Sequence, residues 1–309
     1  MATGRFRSDR GLNTRMVLVM FLLGALYVAA ISIVIAYANV SPVLVLVIAG
    51  GFFAVQYWYS DKIALYSMGG RIVTPEEAPE LHGVIDRLCA MSDMPKPRVA
   101  IANSDMPNAF ATGRTPQRAV VCATTGILRR LTPEELEGVL AHELSHVAHR
   151  DVAVMTIASF LGVLAGTVTR MVLYSGMYGG FGGRRGGDDR DNNGAAMVII
   201  VLTVSMVVYA VSFVLIRTLS RYRELAADRA GAMLTGRPAA LAAALTKVTG
   251  DIARIPTKDL RAAEAFNAFF FTPAIASGFS LSSLFSTHPS LQVRLTALDK
   301  VAAELARPL

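Results

Sequence analysis

Four long apolar runs punctuate this chain, at 16–38, 43–59, 152–174 and 195–216, and two polar stretches separate or follow them. Each run is long enough, or nearly so, to cross about 30 Å of hydrocarbon as a helix. The second ends in Gln56, Tyr57, Trp58 and Tyr59, amphipathic side chains suited to a membrane–water boundary. The third contains Arg170, which a span tolerates near its end or inside a polar bundle. The pattern predicts two helical hairpins and four parts: 1–59, a basic tail and first hairpin; 60–151, polar; 152–216, a second hairpin with a Gly-rich loop at 175–194; and 217–309, polar. A leader cleaved near Ala36-Tyr37-Ala38 is the alternative for the first run. That run is too long for a leader's apolar stretch, and a second run follows almost at once.

Within 60–151, Leu81, Val84, Ile85 and Leu88 recur at helical spacing over 76–92, and Pro95 and Pro97 end that segment. Three short β-rich pieces follow at 98–102, 108–113 and 118–124, separated by turn residues, as in a small antiparallel sheet. Next comes TPEELEGVLAHELSHVAHRD at 132–151. Thr132 suits an N-cap, Pro133 the first helical position, and Glu135 completes a capping box. Leu136, Val139, Leu140 and Leu144 continue at helical spacing. In the last part, helices are predicted at 217–234 with Gly236 as C-cap, at 238–251 and at 289–306; the Phe-rich segment 256–287 receives no assignment.

Composition agrees with the hydrophobic pattern. The chain is 53% hydrophobic and 17% charged, against about 25% charged in soluble domains. Its net charge of +7 raises the question of nucleic acid. The distribution answers it: of 30 Lys and Arg, four lie in the tail, ten in 60–151 and twelve in 217–309. Only three lie in 175–194, where three Asp cancel them. Positive charge so placed predicts both termini and both polar parts on the cytoplasmic side. No aromatic-interleaved basic patch argues for nucleic acid. Cys89 and Cys122 lie in apolar stretches without C-x-x-C spacing, as reduced core residues do.

The chemistry centres on His142, Glu143 and His146, an H-E-x-x-H. Positions four apart share a helix face, so both imidazoles can reach one Zn²⁺, and Glu143 can take a proton from a water beside it. The bland alternative is a pair of surface histidines. A catalytic zinc needs a third protein ligand. His149 lies about 4.5 Å further along the axis than His146, beyond a metal centred on the first pair. Glu224, in SRYRELAADRAG, is sterically easier, and Asp228 one turn later can orient a ligating histidine through its second ring nitrogen. Alone, that helix would read as a surface charge pair beside Arg221 and Arg229. Topology favours the pairing, since two spans between His146 and Glu224 return both to one leaflet.

Four motifs in order, N-A-F-A-T-G at 108–113, H-E-L-S-H at 142–146, E-L-A-A-D at 224–228 and S-T-H-P-S-L-Q-V-R at 286–294, resemble the HtpX group of membrane-bound zinc metalloproteases. More distantly they resemble the CAAX prenyl endoproteases. The resemblance covers nearly the whole chain. It implies one zinc held by His142, His146 and Glu224, with Glu143 as base. It implies that His288 approaches the oxyanion, that Arg294 supports Asp228, and that Asn108 and Ala109 lie on an edge strand pairing with substrate. It further implies endoproteolysis of misfolded or damaged membrane proteins, often under stress, in the bacterial plasma membrane.

The expected fold is a mainly α integral membrane protein with four transmembrane helices and a cytoplasmic zincin-like catalytic domain containing a small antiparallel sheet. The rival from another class is a transporter or scaffold with a closed structural zinc site, for which few intramembrane polar residues are available. A CAAX-type processing protease would need more spans around a larger chamber.

Overall fold

Alternation of apolar side chains in the first polar part is expressed as strands whose two faces enter different clusters. The structure is a computed structural model. It describes residues 10–38, 68–113, 115–151, 190–253 and 288–307, with isolated positions between 43 and 66 and at 154–155. The runs 43–59 and 152–174 are therefore described only at those isolated positions, and most of the loop 175–194 and all of 256–287 lie outside the described residues. Two compact units are present. One comprises Met1–Asn13, Tyr59–Val154 and Ser220–Leu309, the other Thr14–Trp58 and Met155–Leu219.

The first unit contains strands β1 (Gly70–Ile72), β2 (Arg98–Ala102), β3 (Ala109–Thr112) and β4 (Val120–Thr124). Their order is β1-β2-β4-β3. β1 pairs with β2 and β3 with β4 antiparallel, but β2 and β4 run parallel. The sheet is thus mixed, where an antiparallel one was expected. The physical reason is the path after β2. The chain passes to the edge as β3, then turns back and inserts β4 between β2 and β3. β4 is buried along its whole length, which accounts for its unbroken VVCAT run. Val99, Val121 and Ala123 face one core with Leu81, Ile85, Leu140 and Leu144. Ala100, Val120 and Cys122 face a second cluster with Phe110.

Helices α2 (Pro79–Ser92), α3 (Thr125–Arg130) and α4 (Pro133–Ala148) belong to this unit, as does the last part of α5 (Arg190–Thr235). They are followed by α6 (Pro238–Ala253) and α7 (Leu291–Leu305). α6 packs against both α4 and α7 through Leu241, Ala244, Leu245 and Val248. The apolar stretch 195–216 and the helix expected at 217–234 form one continuous 46-residue helix, α5, as a span that continues into 217–234 requires. Gly236 ends it in the left-handed region at φ 68, donating to the Ala232 carbonyl at 2.9 Å. Cys89 and Cys122 are free and buried, and burial pushes their thiols up to about 11 and about 12.

The second unit holds most of α1 (Arg10–Ala38) and the earlier part of α5. α1 contains Gly11–Ile33 and α5 contains Leu202–Thr235, both long and apolar enough to cross a membrane. Only 17% and 22% of their most apolar windows are buried, so these are not core helices of a soluble protein. Val17, Phe21 and Val28 on α1 and Met206 and Val214 on α5 point outward, as lipid-facing side chains do. Among the described residues these are the two such helices, where the sequence predicts four.

Candidate metal centre

α4 begins with the capping box that its sequence predicts. The Thr132 hydroxyl accepts from the Glu135 amide, and the Glu135 carboxylate accepts from the Thr132 amide at 2.9 Å. From Glu135 to Val147 nearly every residue of α4 is buried, so the helix runs through the interior of its unit. His142, Glu143 and His146 are all buried on it. Their burial next to one another requires partners, and the neighbouring elements supply them.

The two imidazole Nε2 atoms lie 3.2 Å apart. The Glu224 carboxylate from α5 lies 3.6 Å from Nε2 of His142 and 3.5 Å from Nε2 of His146. One ligand atom from each of the three residues falls within 4.8 Å of the others. Behind each ring stands a carboxylate: Asp228 is 2.9 Å from Nδ1 of His142, and Asp151 is 2.7 Å from Nδ1 of His146. A carboxylate can only accept, so in the neutral form of each ring, the form that binds a metal, Nδ1 carries the proton and Nε2 faces the shared point with its lone pair. Asp228 is gripped in turn by Arg294 from α7, at 2.7 Å from Nε and 2.6 Å from Nη2. Arg294 is 1% exposed, a burial that an arginine endures only when paired. Asp151 receives Arg223 Nε at 3.1 Å.

This donor set fits a divalent cation. Glu143, Asp151, Glu224 and Asp228 bring four negative charges, Arg223 and Arg294 two positive ones, and neutral imidazoles none. The formal remainder of two negative charges is what one divalent ion cancels. The same excess is visible in the pKa of His146. Burial disfavours a charged ring there, yet Asp151 and Glu224 outweigh it and push the pKa up to about 10. His142 is raised in the same way, with burial opposed by Asp228 and Glu224. For Glu143, burial dominates and raises its carboxyl above the ordinary range, against the pull of His142 and His146. Its Oε2 accepts from the Ala111 amide of β3 at 3.0 Å.

Of the residues singled out by sequence, His142, Glu143, His146, Glu224, Asp228, His288 and Arg294 converge. His288 places Nδ1 2.9 Å from Glu224 Oε2, so it touches the proposed ligand directly. His149 turns away: it caps the end of α4 with Nδ1 2.9 Å from the Ser145 carbonyl. Ala109 begins the edge strand β3. Asn108 immediately precedes it and commits its main chain to Thr124, accepting from the Thr124 amide at 2.9 Å and donating to the hydroxyl at 2.9 Å. In the antiparallel alternation that this bond sets, Ala109 and Ala111 direct their main-chain groups outward from the sheet.

Two residues of the centre were not legible in advance. Asp151 lies five positions after His146, beyond the helix end, where regular geometry would carry it away. Arg150 adopts φ 56 and folds the chain back, a left-handed conformation that costs a non-glycine residue about 1–2 kcal/mol. Arg223 adjoins Glu224, and nothing in its neighbours tells it from the other arginines of SRYRELAADRAG.

Residues 75–302 match the sequence model of Peptidase family M48. A Streptomyces coelicolor protein named protease HtpX homolog 1 is 63% identical over 301 residues, covering 97% of this chain and 96% of its own length. The protease HtpX homolog of Moorella thermoacetica is 53% identical over 298 residues, 96% and 97% of the two chains. Protease HtpX homolog 2 of Methanosarcina acetivorans is 50% identical over 302 residues, 98% and 99%. In three dimensions the chain resembles the crystal structure of S. mikatae Ste24p, with a TM-score of 0.54 and 20% identity. That likeness is one of fold, and it covers 92% of this chain and 64% of Ste24p.

Proposed function

This chain belongs to peptidase family M48 and is a membrane metalloprotease, and we propose that its metal is zinc and that it cleaves polypeptides internally. The observation carrying this reading is the convergence of His142 Nε2, His146 Nε2 and the Glu224 carboxylate on one point with Glu143 alongside. Two neutral imidazoles and a carboxylate form a ligand set that zinc favours, and three protein ligands are the number found in catalytic sites. When bound, zinc supplies Lewis acidity toward a carbonyl and a water.

The chain's own residues divide the remaining work. Glu143, with its carboxyl raised by burial, takes a proton from the attacking water and delivers it to the leaving amide nitrogen. Asp228 and Asp151 hold the two rings, and Arg294 and Arg223 hold those carboxylates. His288, whose Nδ1 lies beside Glu224, is the proposed donor to the developing oxyanion, by likeness to the HtpX group. The main chain of Ala109, on the edge strand β3, is the proposed first partner of a substrate strand. Membrane polypeptides that are misfolded or damaged are the proposed substrates, by likeness to the HtpX group. The distribution of Lys and Arg supports a multi-pass protein of the bacterial plasma membrane with its site on the cytoplasmic side.

Glu143→Gln tests the reading, since it removes the base and leaves the ligands. Detergent-purified protein loaded with zinc is expected to keep its metal and lose at least about 10²-fold in cleavage of an unfolded membrane protein. Near wild-type turnover at matched metal content would overturn the proposal.

A further inference from the structure

We propose that Gly231 is a positioning residue for the metal centre: its bare face lets α5 seat on the backbone of α4 so that Asp228 and Glu224 reach the histidines. The inference rests on the ligand set proposed above and adds what fixes its spacing. Gly231 lies three residues after Asp228 and seven after Glu224, so all three share one face of α5. A Cβ built at Gly231 would stand 2.9 Å from the amide nitrogen of His142, 3.2 Å from its Cα and 3.2 Å from the Ala141 carbonyl carbon. Ordinary contact begins at 3.4 Å.

All three of those atoms are main chain, so no side chain can rotate aside, and α4 is buried on every flank at this level. Relief must come from α5 moving outward by roughly the half ångström that separates these contacts from ordinary packing. Asp228 sits about 4.5 Å along the axis from Gly231 and moves with it. Its contact with His142 Nδ1, now 2.9 Å, is at the length where such a displacement ends a hydrogen bond. Glycine is the poorest helix former short of proline, so its place in the buried interior of α5 runs against local preference and agrees with a demand for closeness.

A second close-packed glycine, on α4, separates positioning from packing. A Cβ at Gly138 of α4 would meet Cα, Cβ and N of Leu241 at 3.3 Å, on α6, which carries no ligand. Zinc affinity, read by chelator competition on detergent-purified full chain that retains its helical circular dichroism, is the measurement. Gly231→Ala is expected to weaken zinc about 10–100-fold, as loss of a group orienting a ligand does. Gly138→Ala is expected to lower the thermal midpoint and leave affinity unchanged. Added to Asp228→Ala, Gly231→Ala is expected to cost less than it does alone, because the Asp228–His142 contact is already lost and only the shift of Glu224 remains.

Should Gly231→Ala fail to fold, Asp228→Glu probes the same spacing from the other side. With α5 seated on α4 the longer arm has no room, and affinity is expected to fall. Affinity unchanged by Gly231→Ala in folded protein, equal losses for the two glycine variants, or unchanged affinity in Asp228→Glu each overturn the proposal alone. Zinc binding that survives Glu224→Ala overturns the ligand set and this inference with it.

Discussion

A histidine ligand is held no better than the group behind its second nitrogen. His146 has Asp151 at 2.7 Å and His142 has Asp228 at 2.9 Å, and each carboxylate is answered by a buried arginine. Asp151→Ala and Asp228→Ala are therefore expected to weaken zinc about 10–100-fold each, the usual effect of losing such a partner. His149→Ala is expected to change it little, because that ring is turned onto Ser145. Dialysis against graded chelator ranks the three. A site emptied by His149→Ala, or untouched by Asp151→Ala, would contradict this assignment. His142, Glu143 and His146 were legible because helix periodicity alone puts them together. Glu224 and Asp228 were legible as a carboxylate pair on one helix face. Asp151 was not, since it depends on a single left-handed residue, and left-handed backbone at an arginine has no sequence signature.

At the level of elements, the start of α4 was written in Thr132, Pro133 and Glu135, and β2 appears at the residues where apolar positions placed it. Thr132→Ala is expected to cost about 1 kcal/mol of stability in denaturant unfolding. Zinc affinity should not change with it, as His142 lies more than two turns further along the helix. A loss of affinity matching the loss of stability would show that the cap does more than begin the helix. Strand pairing was less legible. Whether β2 and β4 run parallel is decided by the path of the chain between them, which no local pattern encodes. β1 has three residues, too few for alternation to show. The continuity of α5 was legible, because helix-forming residues run on past the polar change at 216 and backbone bonding takes no account of that change.

Across the whole molecule, hydropathy and charge announced a membrane protein, and four ordered motifs announced a metalloprotease. The three proposed ligands come from two helices far apart in sequence, so a bound ion ties α4 to α5. Chelation is expected to lower the thermal unfolding midpoint, since an ion at 1,000 times its dissociation constant stabilises the native state by about 4 kcal/mol. A midpoint that ignores chelator while the metal leaves would argue against a site spanning both helices. The split has a consequence for biosynthesis. The ribosome releases His142 to Asp151 first, Glu224 and Asp228 after two further apolar runs, and Arg294 near the end. A nascent chain bearing only the H-E-x-x-H helix holds two of the three proposed ligands and lacks both Asp228 and Arg294. On the proposed ligand set, the chain is therefore expected to be inactive until its last helix has docked, with the order of translation doing what a propeptide does elsewhere.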